Sequence, residues 1–266
     1  MVEIPAQLRK RGLDAFEYEA VHGVRIGEVE ARKLGFNARA YDVQLSLHGP
    51  YFVNLSGERA TVEASKKRIL DSLRAAKWMG ARQAVFHPGY VGKRSRQESL
   101  EMCVRAMREI VQEANFMGIS GIFLGPETTG KPVQVGSLEE ILVLCEQVET
   151  TRPTIDWAHL HARDGGRLGS KGDYLKVTDL IEKRLGSEAL KTLHCHYAHV
   201  EFTAKGERMH HTMEEAEYGP DFLPLAEIIV EQGLSPTIIS ESPLLDLDSL
   251  KMRDIVACVA ASKKGS

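Results

Sequence analysis

Short apolar, β-prone runs alternate with longer amphipathic stretches along most of the chain. The runs are AFEYEAV (15–21), VQLSLH (43–48), QAVFH (83–87), GIFLGPE (121–127), TIDW (154–157), KTLHCHY (191–197) and TIISE (237–241). Each has the length of a strand and is bounded by turn-forming or polar residues. Between them, residues 27–39, 58–79, 95–117, 137–149, 173–185, 221–233 and 246–262 carry apolar positions three and four apart, as in Ile69, Leu73, Ala76 and Met79. That spacing lays an apolar stripe along one helical face and predicts helices packed on a core. Ser137 stands three residues before Glu140, the pattern of a capping box, and Gly80, Gly118 and Gly233 fall where helix C-caps belong. Trp78 and Trp157 lie inside periodic segments and are expected in the core.

Strand and helix in regular alternation predict βα units and a parallel sheet covered by helices. A TIM (β/α)8 barrel takes about 250 residues, and the 266 residues here supply seven clear units. The first strand is therefore expected to be short or missing, with VEI (2–4) its only candidate. The competing architecture, a doubly wound open sheet, carries a GxGxxG phosphate turn after an early strand, and none occurs. No linker, low-complexity tract or repeat interrupts the alternation, so residues 1–266 are expected to form a single TIM-barrel domain.

In a barrel the C-terminal strand ends gather at one mouth. Here those ends read His48, His87, Glu127, Asp156 with His159, His194 with His196, and Glu241. One imidazole at a strand end is ordinarily a hydrogen-bonded histidine, and one carboxylate ordinarily caps the next helix. Six successive ends of this kind are different, because so many ionisable groups in one mouth are costly without positive charge among them. A divalent cation is the simplest source of that charge. Imidazole and carboxylate without thiolate favour Zn²⁺, with Mn²⁺ or Fe²⁺ as alternatives. Asp156 and His159 are three apart, so the strand must end near Asp156 for a turn to swing His159 back over the mouth. His194 and His196 share a face, with His196 nearer the opening. His210 and His211 fall in what reads as a long polar loop after the strand KTLHCHY (191–197).

The segments LHGPYFVNL, VFHPG, PETTGK, IDWAHLHA, LKTLH and SES, in this order over about residues 40 to 245, resemble the motifs of the endonuclease IV family of apurinic/apyrimidinic endonucleases, TIM barrels of the xylose-isomerase-like superfamily. The resemblance implies two or three zinc ions. His48, His87 and Glu127 would hold one. Glu127 as a bridge, Asp156, His194 and Glu241 would hold a second, and LKTLH favours His194 over His196 in that role. His159 and His210 would belong to a third. The family completes the third site with an Asp two residues before the loop histidine, where this chain has Arg208, and the nearest acid is Glu207. The implied reaction is cleavage of duplex DNA 5′ to abasic sites by a monomeric enzyme, with Glu127 as the catalytic carboxylate that positions the nucleophile and Tyr51 packing against a splayed-out nucleotide.

Composition adjusts this reading only slightly. A net charge of −3 gives no whole-molecule attraction for nucleic acid, so DNA contacts must be local. Lys93, Arg94 and Arg96 in GYVGKRSRQ, Lys131 in TTGKPV, and Arg163 and Arg167 follow strand ends and could meet phosphates; as solvated loop charges they would mean nothing. Four scattered cysteines with no CxxC pair fit a reducing cytosol, hence a cytoplasmic protein, and no stretch is apolar enough for a membrane span. Two rival readings remain. A sugar isomerase or epimerase of the same superfamily would use Glu127, Asp156, His194 and Glu241 around a single metal, but has no need of both His48 and His87. A degenerate, non-catalytic barrel would follow if Arg208 has abolished the third site.

Overall fold

The computed structural model describes residues 1–264. The chain forms two compact units, one of Met1–Glu127 with Val133–Pro153 and one of Thr128–Pro132 with Thr154 onward.

In the first unit, strands Ala15–Glu19, Gln44–His48, Gln83–Phe86 and Phe123–Pro126 pair in that order, all parallel. Glu19 lies opposite His48, His48 opposite Val85, and Phe86 opposite Pro126, so the C-terminal ends of the four strands stand at similar heights. Helices Glu28–Ala40, Arg59–Met79, Arg96–Phe116 and Leu138–Gln147 follow the strands. Their stripes bury Leu34, Ile69, Leu73, Met107, Ile110 and Ile141. The capping boxes at Ser95 with Glu98 and at Ser137 with Glu140 both form, and Gly80 ends its helix in the left-handed conformation at φ 71°. A short antiparallel pair, Gly89–Tyr90 with Gln134–Val135, decorates this unit.

In the second unit, strand His194–Tyr197 lies between Thr154–Asp156 and Thr237–Ser240, again parallel. Helices Lys171–Leu185, Leu223–Gln232 and Asp246–Lys264 follow the strands. Trp157, Tyr174, Tyr197 and Phe222 are fully buried, with Trp157 on Tyr174 (centroids 5.2 Å) and Tyr197 on Phe222 (4.9 Å). Trp78, in the first unit, is partly buried against the core.

Three expectations need correction. VEI (2–4) is not a strand: Ile4–Arg11 is a helix with Pro5 in its first turn and Gly12 as its left-handed C-cap. The strand expected at 191–197 begins at His194, not Lys191, because Ser187–Lys191 forms a short helix. The polar stretch carrying His210 and His211 is a β-hairpin, with His199–Thr203 antiparallel to Gly206–His211; its charged side chains masked a strand whose backbone bonds are local. No helix among the described residues is long and apolar enough to cross a membrane.

Gly35 tests the helix packing of the first unit. A Cβ there would lie 2.2 Å from the Met79 carbonyl oxygen, so helices Glu28–Ala40 and Arg59–Met79 touch through backbone. Intrinsic propensity alone would make Gly35→Ala stabilising by about 1 kcal/mol. Overpacking is expected to win, with a net loss of about 1–3 kcal/mol in chemical denaturation; a gain would show that the two helices are not held this close.

Candidate metal centres

The first unit gathers two imidazoles on one carboxylate. His48 is the last residue of its strand, while His87 and Glu127 lie one residue beyond theirs. Glu127 is held at that height by its N–H, which donates to the Phe86 carbonyl at 3.0 Å. His48 Nε2 and His87 Nε2 each stand 3.1 Å from the same oxygen, Glu127 Oε2. Glu127 and His48 are buried, and His87 is nearly so. His48 Nδ1 donates to the Gly49 carbonyl at 2.8 Å, which fixes the ring and aims Nε2 inward. Burial alone would lower the His48 pKa, but the hydrogen bond and charge of Glu127, aided by Glu19 and Glu17, raise it from 6.5 to about 10.

That arrangement fits a cation. Ligand atoms about 2.1 Å from one tetrahedral zinc stand roughly 3.4 Å from each other, close to the 3.1 Å found for both nitrogen–oxygen pairs. Tyr51 lies against the imidazoles, its ring centroid 5.6 Å from His48 and 5.9 Å from His87, and is about half exposed. Asn54 Oδ1 accepts from the N–H groups of Ser56 and Tyr90, both at 3.2 Å, tying the loop after His48 to the Gly89–Tyr90 strand.

The second unit builds its own cluster. Asp156 ends its strand and caps helix Trp157–Arg163, its Oδ1 accepting from the His159 N–H at 2.6 Å. The expected turn is therefore this short helix, and it brings the His159 ring back beside Asp156. His159 Nδ1 donates to the Thr128 carbonyl at 2.8 Å and stands 3.5 Å from Asp156 Oδ2, while Nε2 faces Glu207. One ligand atom from each of Asp156, His159, His210 and Glu241 lies within 4.8 Å of the others, a spread that a single cation could draw together. Glu241 Oε1 is 3.1 Å from His196 Nδ1, and Oε2 is 3.6 Å from His210 Nδ1.

Strand register favours His196 over His194. His196 is level with Asp156 and Ile239, whereas His194 is level with Thr154 and Thr237 at the strand's start. Two residues put His194 about 7 Å deeper. The motif LKTLH points to His194; Glu241 sits beside His196.

Glu207 is the residue the sequence left undecided. Its Oε2 is 3.3 Å from His159 Nε2, and its Oε1 is 3.9 Å from His210 Nε2. Burial pushes its pKa up, but the hydrogen bond and charge of His159, with His210 and Lys131, outweigh it and hold the carboxyl at about 2. Arg208 turns the other way, its guanidinium mostly exposed and paired with Glu201 at 2.5 Å. Three residues apart on a regular strand, Glu207 and His210 would face opposite sides. A register shift between Glu207 and Met209 breaks that alternation.

Of the cations suggested for DNA, Lys93 and Lys131 are exposed. The others have structural partners. Arg94 Nη1 donates to the Ser56 carbonyl at 3.2 Å, Arg96 pairs with Glu140 at 2.8 Å, and Arg167 pairs with Asp164 at 3.3 Å. Arg163 Nη1 donates to the carbonyls of Thr129 (3.1 Å) and Lys131 (2.8 Å), bracing the segment that presents Lys131.

Comparison with known proteins agrees with the fold read from strand and helix order. An uncharacterized protein of Methanocaldococcus jannaschii is 33% identical over 244 residues, covering 91% of this chain and 87% of its own. A probable endonuclease 4 of Finegoldia magna is 26% identical over 210 residues, covering 77% of this chain and 71% of its own. The crystal structure of endonuclease IV from Thermus thermophilus superposes with a TM-score of 0.72 at 20% identity, over 96% of this chain and 93% of that one. A D-tagatose 3-epimerase-like protein superposes with a TM-score of 0.69 at 18% identity, over 97% of this chain and 93% of that one. At such identities the two superpositions speak for the fold alone. The xylose isomerase-like TIM barrel family matches residues 5–251, and by that match, over nearly the whole of its length, the chain belongs to this family of (β/α) barrels.

Proposed function

We propose that the chain is a metal-dependent phosphodiester hydrolase of the endonuclease IV type, a DNA-repair enzyme that cuts duplex DNA 5′ to abasic sites with two or three zinc ions. The observation that carries this reading is the convergence of His48 Nε2 and His87 Nε2 on one buried oxygen of Glu127, each at 3.1 Å. A sugar epimerase is the competing reading, favoured by the likeness to the D-tagatose 3-epimerase-like fold. An enzyme working with one metal has no need of both His48 and His87 on that carboxylate, whereas a hydrolase working with several does.

Bound at these donors, divalent cations would make water nucleophilic near neutral pH and offset the charge that grows on the phosphate. The chain's own groups do the rest. Glu127, pinned by two imidazoles, positions the attacking water and accepts its hydrogen bond. Asp156, His196 and Glu241 supply further donors in the second unit, as does His159, fixed by the Thr128 carbonyl. Tyr51 offers a half-exposed aromatic face beside His48 and His87 on which a displaced nucleotide could stack. Lys93 and Lys131 offer exposed charge for phosphates.

The decisive experiment incubates the protein with a duplex carrying one abasic site and, separately, with a panel of ketoses, each with and without chelator. Cleavage of the duplex that chelator abolishes and zinc restores is expected. Epimerised ketose with an intact duplex, or one bound ion per chain, would overturn the proposal; no reaction on either substrate would point to a degenerate barrel. Glu127→Gln is expected to lower the cleavage rate by about 10²–10⁴ while circular dichroism stays unchanged.

The His48–Glu127 pair gives a prediction for the metal-free protein. A histidine pKa raised from 6.5 to about 10 in the folded state contributes stability that is fully present below the lower value and lost as pH rises through the upper one. The melting temperature of chelator-stripped protein should therefore fall across that interval, and Glu127→Gln should flatten the fall. Zinc affinity should rise across the same interval, because the ion must displace the His48 proton.

A further inference from the structure

The hairpin solves by geometry the problem that Arg208 poses in the sequence. Strand pairing runs Glu207 with Phe202 and then Met209 with Glu201, so Arg208 is the extra residue of a bulge. A bulge shifts the facing of the side chains that precede it. Here it leaves Arg208 pointing outward to Glu201 and turns Glu207 toward His159 and His210.

Two glycines let the hairpin come close enough. A Cβ on Gly130 would stand 2.6 Å from Glu207 Cβ and 3.1 Å from His159 Cδ2, and a Cβ on Gly206 would stand 2.2 Å from the Gly130 carbonyl oxygen. Gly206 also takes φ +94°, where a side chain would be strained. The Glu207 N–H donates to the Gly130 carbonyl at 3.1 Å, fixing the approach. Around the carboxylate, His159 Nε2 lies 3.3 Å from Oε2, His210 Nε2 lies 3.9 Å from Oε1, and the two rings are 5.6 Å apart. His210 Nε2 is buried and has no hydrogen-bond partner. The two nitrogen–oxygen distances, one to each oxygen of the carboxylate, bracket the roughly 3.4 Å expected between ligands of one tetrahedral ion.

We propose that Glu207, delivered by the bulge at Arg208, completes with His159 and His210 a divalent-cation site in which glutamate one residue earlier replaces the aspartate that the sequence lacks. The proposal rests on the metal-dependent reading above for the presence of ions, and not on which reaction they serve. Position 208 plays no part in the site. The lost aspartate therefore does not imply a lost ion.

Metal binding itself provides the test, by native mass spectrometry after stripping and titration with Zn²⁺, and by the visible absorption of Co²⁺ added to the stripped chain. Glu207→Gln keeps shape and hydrogen-bonding capacity but removes the charge. It is expected to bind one ion fewer than the wild type, or to bind one ion more weakly by over the roughly 10–100-fold that loss of an outer-shell partner costs. A His48→Ala/His87→Ala variant should lose a different ion, so its loss adds to that of Glu207→Gln. Arg208→Ala should leave the count unchanged, and Glu207→Gln/Arg208→Asp should not recover the missing ion. Unchanged stoichiometry and affinity in Glu207→Gln would overturn the site, as would recovery by Arg208→Asp. A wild-type chain that binds no zinc at all would instead overturn the functional reading itself.

Discussion

A carboxylate cannot sit in a protein interior without compensation, and Glu127 is fully buried. Two imidazoles aimed at one of its oxygens meet that constraint, and much of the first unit is arranged to aim them. Parallel pairing sets His48 level with Val85 and Phe86 level with Pro126, so the residues that end or follow these strands arrive at similar heights. The bond from Glu127 N–H to the Phe86 carbonyl continues the sheet by one more rung. With His48 Nδ1 tied to the Gly49 carbonyl, the ring cannot rotate its other nitrogen away. The cluster is preorganised by backbone, and a cation entering it would displace a proton rather than rearrange side chains.

The second unit meets the same constraint with different parts. Asp156 serves as strand end and helix cap at once, which is why a helix as short as Trp157–Arg163 can return His159 to the acids. Thr128 is the hinge of this arrangement. Its hydroxyl accepts from the Asp156 N–H, its N–H donates to the Thr154 carbonyl, and its own carbonyl orients His159. Arg163 then clamps the following loop through the carbonyls of Thr129 and Lys131. A positive charge that the sequence allows either as a phosphate contact or as a solvated loop charge braces, in the fold, the segment that carries Lys131.

The hairpin shows how a local irregularity changes chemistry without changing composition. Its one extra residue interchanges the facings of a glutamate and an arginine. A Cβ on Gly206 would collide with the Gly130 backbone, and a Cβ on Gly130 with the side chains of Glu207 and His159. A motif comparison aligned on His210 sees an arginine in place of an acid; the folded chain has an acid beside His159 and the arginine on the surface.

The order of strands and helices was legible because each helix buries one face, which spaces its apolar residues three and four apart, while strands such as Gln83–Phe86 and His194–Tyr197 are buried throughout and read as short continuous runs. The placing of His48, His87, Glu127, Asp156 and Glu241 at strand ends was legible for the same reason: parallel strands stop where their apolar runs stop. Tertiary structure decided what has no local periodicity. It chose His196 over His194 beside Glu241, because register against two neighbouring strands, and not the chain's own pattern, sets depth. It turned VEI into the approach to a helix, since three residues without a partner strand have no ladder to join. And it brought Glu207 to the histidines, because a bulge is a relation between two strands and leaves the composition of either one unaltered.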